Sequence, residues 1–208
     1  MNRTLIVCGG QFHNISKSAL QEYDFIIACD KGYEYCEKLH IIPDLFIGDC
    51  DSLKKNLPDN IKKIILPHLK DDTDTMYAIK EALKTSCTSI TLCCALGNRV
   101  DHTIANIQSL NFIAEHECSA KMFSEDEELF CIKNNSIKIP MKTGFSLSVF
   151  SLTEKSEGVY EKGTLYELEN AVLTNTFPLG ISNEWKDDIA EIGVKNGTLL
   201  IITSRIKD

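Results

Sequence analysis

The sequence predicts an α/β protein: a mainly parallel sheet with flanking helices, followed by a smaller antiparallel β-sandwich or roll. Three observations predict it. Up to about residue 124, short apolar runs alternate with stretches of helical periodicity. Such alternation builds a parallel sheet with helices on its faces. Beyond that point the period changes to two, as in Phe145-Ser146-Leu147-Ser148-Val149, the pattern of a half-buried strand. Between the halves lies the acidic run Glu125-Asp126-Glu127-Glu128, which reads as a solvated hinge. The expected domains are therefore 1–124 and 125–208.

Within the first half, Leu5 to Cys8, Phe25 to Cys29, Leu45 to Ile47, Ile64 to Leu66, Ile90 to Cys94 and Lys121 to Phe123 read as strands. Each is short, apolar and bounded by turn residues. Thr73 to Lys84 reads as a helix, with Met76, Ile79 and Leu83 on one face. A second helix begins near Asp101, with Ile104, Ile107, Leu110 and Ala114 at helical spacing. In the second half, Gly158, Gly163, Gly180 and Gly193 punctuate short strands. Asn196-Gly197, between Glu191 to Val194 and Thr198 to Thr203, predicts a tight hairpin, because that dipeptide suits a primed turn. The second half is small for an independent core, so docking to the first domain or to another subunit is expected to support it.

The bulk properties exclude several classes. The chain has 208 residues and a formal net charge of -8. That charge speaks against a nucleic-acid partner, since phosphate backbones demand a basic footprint. The nine cysteines form no Cys-x-x-Cys pair, which excludes the usual zinc spacing. Their apolar contexts, such as Ile27-Ala28-Cys29 and Leu92-Cys93-Cys94, predict reduced core thiols in a reducing compartment. Cys50 sits between two acids, which disfavour its thiolate; it reads as a spacer. No apolar run approaches membrane-spanning length, and nothing resembles a signal peptide. The expected location is cytoplasmic, with no membrane partner.

The chemistry concentrates in two acidic segments. Gly48-Asp49-Cys50-Asp51-Ser52 follows the run Leu45-Phe46-Ile47, and Lys70-Asp71-Asp72-Thr73-Asp74 follows Ile64-Ile65-Leu66. Ligands in α/β sheets bind at strand ends. Acids gathered there repel one another unless a cation intervenes. Mg²⁺ fits, because it takes a few carboxylates plus substrate phosphates. Asp also caps helices and makes turns, and Asp72 or Thr73 is a candidate N-cap.

A third segment, Ala95-Leu96-Gly97-Asn98-Arg99-Val100-Asp101-His102, joins the run Ile90 to Cys94 to the second helix. Arg99 offers a planar donor fork suited to phosphate. Asp101 or Thr103 is placed to cap the helix, whose N-terminus favours anions. Gly9-Gly10 after the first strand and Asp30-Lys31-Gly32 after the second are turns at the same edge.

Together these motifs resemble the thiamine pyrophosphokinase family. The sets Gly-Asp-x-Asp-Ser, Lys-Asp-x-Thr-Asp and Gly-x-Arg-x-Asp-His-x-x-Ala-Asn stand here at Gly48 to Ser52, Lys70 to Asp74 and Gly97 to Asn106. Gly180-Ile181-Ser182-Asn183-Glu184 is similar to the family's C-terminal signature, and Gly163-Thr164-Leu165-Tyr166 to its Gly-Leu-Lys-Tyr segment. The resemblance runs from about Leu5 to near the C-terminus. It departs at Lys31, Met76, Thr164 and Glu167, which bears on nucleotide affinity and pocket detail more than on the reaction.

The resemblance implies ATP:thiamine pyrophosphotransfer: the thiamine hydroxyl attacks the β-phosphorus of ATP, and AMP leaves. It implies Mg²⁺ on Asp49, Asp51, Asp71 and Asp74 and Arg99 on the transferring phosphate, and leaves open which of the four acids, if any, accepts the hydroxyl proton. Asp30, Gly32, Thr73, Asp101 and His102 line the ATP side; for His102 a local hydrogen bond at the helix start is the other reading. Ser182 and Asn183 hydrogen-bond the thiamine aminopyrimidine, and Trp185 stacks on the cationic ligand; a core or interface Trp is the other reading of that residue. A homodimer with the active site at the subunit interface is implied as well. The alternatives are a pyrophosphokinase for another alcohol, such as a hydroxymethyl pterin, and a non-catalytic Mg²⁺-nucleotide or thiamine sensor. A haloacid-dehalogenase-like phosphatase also uses Asp-x-Asp, but its nucleophile follows the first strand, where this chain has Cys8-Gly9-Gly10.

Overall fold

A computed structural model describes residues 2–49, 57–67, 69, 71–97 and 99–207. Cys50, Asp51, Ser52, Lys70 and Asn98 lie outside the described residues. The chain divides into two compact units, Met1–Glu125 and Asp126–Asp208.

The first unit runs β1 (Arg3–Val7), α1 (Lys17–Leu20), β2 (Phe25–Cys29), α2 (Gly32–Lys38), β3 (Leu45–Gly48), β4 (Lys62–Ile65), α3 (Asp74–Lys84), β5 (Ser89–Cys93), α4 (Val100–Glu115) and β6 (Ser119–Phe123). Its strands lie in the order β6-β5-β1-β2-β3-β4, and every neighbouring pair is parallel. The expected parallel sheet is therefore present. Leu5, Ile6, Ile27, Phe46, Ile47, Ile90 and Leu92 are fully enclosed, because a sheet covered on both faces buries successive side chains rather than alternate ones. The connections run outward from β1 through β4, then return to β5 on the other side of β1. That reversal opens a crevice at the carboxyl ends of β1 and β5, the switch point where α/β sheets bind ligands.

Two helices frame the crevice. In α3 the buried residues are Ala78, Ile79 and Ala82, while Met76 and Leu83 are half-buried. The inward face is thus turned from the expected one, since two alanines let the helix lie close to β1, β2 and β3. In α4 Leu110, Ile113 and Ala114 are buried, whereas Ile104 stays exposed.

The second unit holds β7 (Glu127–Lys133), β8 (Ser136–Pro140), β9 (Phe145–Ser151), β10 (Lys155–Lys162), β11 (Leu168–Thr174), β12 (Gly180–Asn183), β13 (Ile189–Gly193) and β14 (Thr198–Arg205). One layer takes the order β12-β9-β14-β7 and the other β11-β10-β13-β8, all antiparallel. Its core contains Ile139, Leu147, Val149, Val159, Leu173, Ile192, Leu199 and Ile201.

Two expectations fail here. Asn196-Gly197 is no hairpin turn, because β13 pairs with β8 and β10 while β14 pairs with β7 and β9. The dipeptide carries the chain from one layer to the other. Gly197 adopts a φ of 120°, and its N–H donates to Asn134 Oδ1 at 2.8 Å. Asn196 O accepts from the Glu157 N–H at 2.7 Å. The acidic run does hold the boundary between the two units, as expected, but it is not a freely solvated tether. Glu127 and Glu128 open β7, Asp126 pairs with Arg205 and Lys207, and Glu128 pairs with Lys142. Basic residues elsewhere in the same chain absorb the charge that suggested a linker.

Candidate active site

At the switch point the strand ends enclose a cleft of about 390 Å³. Asp30, Thr73, Asp74, Arg99 and His102 line it, together with Gly9, Gly10 and Lys31. Four separate segments of the sequence thus meet on one surface. Gly32 and Asp101 are absent from the lining, as are Asp49 and Asp71.

Each lining residue is held by local chemistry. Asp30 follows β2 with a φ of 46°, and its N–H donates to Ile47 O at 2.9 Å. Asx side chains tolerate that left-handed region better than most. Gly32 starts α2 pressed against β1; a Cβ there would lie 2.0 Å from Val7 O. Its glycine serves that close approach. The turn after β1 is tied down by the Gly10 N–H, which donates to Cys94 O at 2.7 Å, and by Tyr35 Oη, which donates to Gly10 O at 2.7 Å.

The second acidic segment enters α3 directly. Thr73 is the N-cap, its Oγ1 accepting from the Met76 N–H at 3.1 Å, and Asp74 stands in the first turn. The Asp72 carboxylate is engaged by α3 itself, pairing with Lys80 at 2.5 Å. Asp71 is exposed just ahead of the helix. Asp49 is half-buried immediately after β3. The register Cys29↔Ile47 sets Asp30 and Asp49 beyond the ends of adjacent parallel strands.

The loop after β5 presents Arg99 through a bidentate pair with Asp101, Nε to Oδ1 at 3.1 Å and Nη2 to Oδ2 at 2.6 Å. The His102 N–H also donates to Asp101 Oδ1, at 2.9 Å. Above all the guanidinium holds the Asp101 carboxyl well below the usual range, at about 2. Two of the five guanidinium donors are used, leaving the rest for an incoming anion.

Sequence reasoning missed Cys8, Cys29, Thr75, Ala95 and Asn106, which also line the cleft. Cys8 and Cys29 directly follow or end strands; that position was the available signal. Asn106 belongs to the third motif and works inward, Nδ2 donating to Ala95 O at 2.7 Å and bracing the loop.

The donor set suits Mg²⁺ in kind: Asp74 lines the cleft and Asp49 and Asp71 end neighbouring segments, all hard oxygens. Among the described residues no three His, Cys, Asp or Glu side chains converge as a complete cage. Mg²⁺ tolerates that, since it keeps waters and takes phosphate oxygens from its substrate.

In the second unit the two motif segments come together. The Leu165 N–H donates to Glu184 O at 2.8 Å, and Thr164 bridges Trp185. Ser182 is exposed, with a φ of 55°. Asn183 is buried, and its amide is fully engaged within the chain. Trp185 packs on the core, half-buried, with Nε1 donating to Ile139 O at 3.2 Å. Of the departing positions, Thr164 is fully buried, and Glu167 Oε1 accepts the Gly163 N–H at 3.1 Å.

Comparison with known proteins bears on both units. The family model for the thiamin pyrophosphokinase catalytic domain matches residues 16–122. That for the thiamin pyrophosphokinase vitamin B1 binding domain matches residues 134–199. A thiamine pyrophosphokinase crystal structure from Bacillus subtilis shares the fold at a TM-score of 0.88 and 23% identity, covering 99% of this chain and 100% of that one. A thiamin pyrophosphokinase from Candida albicans shares it at 0.79 and 16% identity, covering 98% and 89%. No curated protein matches the chain. With its catalytic half alone matched over more than half of the sequence, the chain belongs to the thiamin pyrophosphokinase family.

Proposed function

We propose that this pyrophosphokinase takes ATP in the cleft of the first unit and passes its β,γ-pyrophosphoryl group to the hydroxyl of thiamine. The thiamine oxygen bonds to the β-phosphorus, the bond from that phosphorus to the α,β-bridging oxygen breaks, and AMP leaves. The observation that carries this reading is the convergence of Asp30, Asp74, Arg99 and His102 on one cleft at the sheet's switch point. Phosphoryl chemistry of this kind needs positioning and charge stabilisation more than covalent help. Arg99, already oriented by Asp101, binds the oxygens of the transferring group through its remaining donors. The N-terminus of α4 adds its partial positive charge. Asp49, Asp51, Asp71 and Asp74 hold Mg²⁺, which supplies charge neutralisation for the polyphosphate when bound. One carboxylate of that set takes the hydroxyl proton.

The second unit is read as the thiamine side. Ser182 offers an exposed hydroxyl and Trp185 an aromatic surface; Asn183, expected to hydrogen-bond thiamine itself, has its amide committed within the chain and instead shapes the segment between them. Leu165, Tyr166, Phe177, Leu179 and Ile181 are exposed apolar side chains of the same unit. Such an exposed set favours a covered surface, and we read the protein as a cytoplasmic homodimer with its active site at the subunit interface. No helix among the described residues is long and apolar enough to cross a membrane.

Incubation with ATP, Mg²⁺ and thiamine, with chromatography of both products, tests the reaction. AMP and thiamine diphosphate in equal amounts are expected. ADP as the sole nucleotide product, or no turnover of thiamine, would reject it.

A further inference from the structure

The second unit contains a buried acid for which the reaction described above has no use. Glu161, on β10, has no exposed surface and faces the apolar core that includes Val159 and Ile192. Its neighbours across the sheet are Leu168 of β11 and Ile192 of β13. Oε2 accepts from Asn183 Nδ2 at 3.1 Å, whereas Oε1 is enclosed with no hydrogen-bond partner among the described residues. An acid in such a place costs stability relative to an apolar side chain of similar size. Its presence there points to something its polar contact achieves.

That contact is Asn183. The remaining groups of its amide are committed to backbone. Nδ2 also donates to Tyr166 O at 2.9 Å, and Oδ1 accepts the N–H groups of Tyr166 and Glu184, each at 3.0 Å. One buried amide therefore stitches the turn after β10 to the end of β12. The β12 segment is irregular where it matters. Its pairing with β9 shifts register between Gly180 and Asn183, and Ser182 sits in the left-handed region with its N–H on Ser148 Oγ at 3.0 Å. A bulge of this kind re-aims side chains and is strained for a residue other than glycine. The segment also lies close over the acid. A Cβ at Gly180 would stand 2.7 Å from Val149 O and 3.4 Å from Glu161 Oε1.

We propose that Glu161 is a positioning residue: by anchoring the Asn183 amide from within the core, it fixes the bulged Gly180–Glu184 segment against the Gly163–Tyr166 turn and so sets thiamine affinity without touching thiamine. The thiamine clause rests on the reading of the second unit given above; the anchoring of the segment does not. Burial pushes the Glu161 carboxyl up to about 7, against the opposing pull of the Asn183 amide. A glutamine, neutral and of the same shape, thus keeps the acceptor that Asn183 needs.

The test measures thiamine KM, ATP KM and kcat, together with hydrogen exchange at the Tyr166 and Glu184 amides, in Glu161→Gln, Glu161→Leu and Glu161→Ala. Leucine keeps the volume and removes the acceptor, so it decides the matter if the alanine variant does not fold. For Glu161→Leu the expected result is a thiamine KM raised about tenfold, the scale of one buried donor left unpaired, with ATP KM and kcat within about twofold. Exchange at the Tyr166 and Glu184 amides quickens in the same variant. Glu161→Gln restores both readouts. Unchanged exchange at those amides in Glu161→Leu overturns the proposal, as does an equal loss of thiamine affinity in Glu161→Gln. Quickened exchange that glutamine reverses, joined to a raised ATP KM and an unmoved thiamine KM, upholds the anchoring and overturns the assignment of thiamine to this unit.

Discussion

Arg99 and Asp101 form a two-point ion pair at the entrance to α4, with 3.1 Å and 2.6 Å separations between matching atoms. Both side chains are largely exposed, so the pair adds little to stability. Its consequence is orientation: the guanidinium plane is held before any anion arrives, which lowers the ordering cost of binding one.

Asp101→Asn keeps the size of the side chain and removes its charge. The expected outcome is a kcat/KM lowered about tenfold, with Arg99→Ala lowering kcat about 10²-fold to 10³-fold, the scale of one lost electrostatic stabiliser. Steady-state kinetics with ATP varied at saturating thiamine makes the comparison. An Asp101→Asn variant as fast as wild type would show that Arg99 needs no such guide.

The acids at the strand ends give a metal prediction. Asp49→Asn and Asp71→Asn are each expected to cut kcat by about 10²-fold or more while leaving thermal unfolding in the absence of Mg²⁺ unchanged or slightly later, since a like charge is removed. Chelation of Mg²⁺ is expected to abolish turnover of the unmodified protein, and its return to restore it. Turnover within about threefold of wild type in both variants at saturating Mg²⁺ would remove these residues from the site.

The Thr73 cap is a local stability element beside the chemistry. Thr73→Ala deletes the acceptor for the Met76 N–H and is expected to cost about 1 kcal/mol. Thr73→Ser keeps the acceptor and is expected to recover most of it. Denaturant titration of the three proteins reads the difference, and equal midpoints for alanine and serine would mean the cap contributes nothing.

The parts of this protein that were legible in the sequence are those set by local periodicity. The runs around Ile27, Phe46 and Leu92 read as strands because a sheet buried on both faces needs unbroken apolar stretches, and those strands form. Thr73 was a cap candidate on side-chain chemistry alone, and it caps. Legibility ended where distant chain decided the outcome. Asn196-Gly197 carries a strong hairpin signal, yet its bonds go to Asn134 and Glu157, and no local rule reveals partners that far away. Glu127 and Glu128 read as solvated because their basic company, Lys142 included, lies elsewhere in the chain. Glu161 gave no signal at all: an acid between Tyr160 and Lys162 looks like an ordinary exposed strand residue until the bulge that pairs Asn183 with it is seen.

Glu161 also makes stability depend on pH with a definite sign. Its carboxyl lies at about 7 in the folded protein against an ordinary 4.5. The folded state therefore binds this proton more tightly than the unfolded chain does. Below about pH 4.5 both states are protonated and this group imposes no penalty. As pH rises from there towards 7, the unfolded chain gains by releasing the proton while the fold holds it, so stability falls; above about 7 the loss is complete and levels off. The full effect is on the order of 3 kcal/mol, from about 1.4 kcal/mol for each pH unit between the two values. Glu161→Gln has no proton to release and loses this term. Urea midpoints measured between pH 5 and pH 8 are therefore expected to fall more steeply for the wild-type chain than for Glu161→Gln, with the two curves drawing apart chiefly between pH 5 and 7. Parallel curves over that range would mean that Glu161 ionises inside the fold at no cost, and that the enclosure around its unpartnered Oε1 admits water.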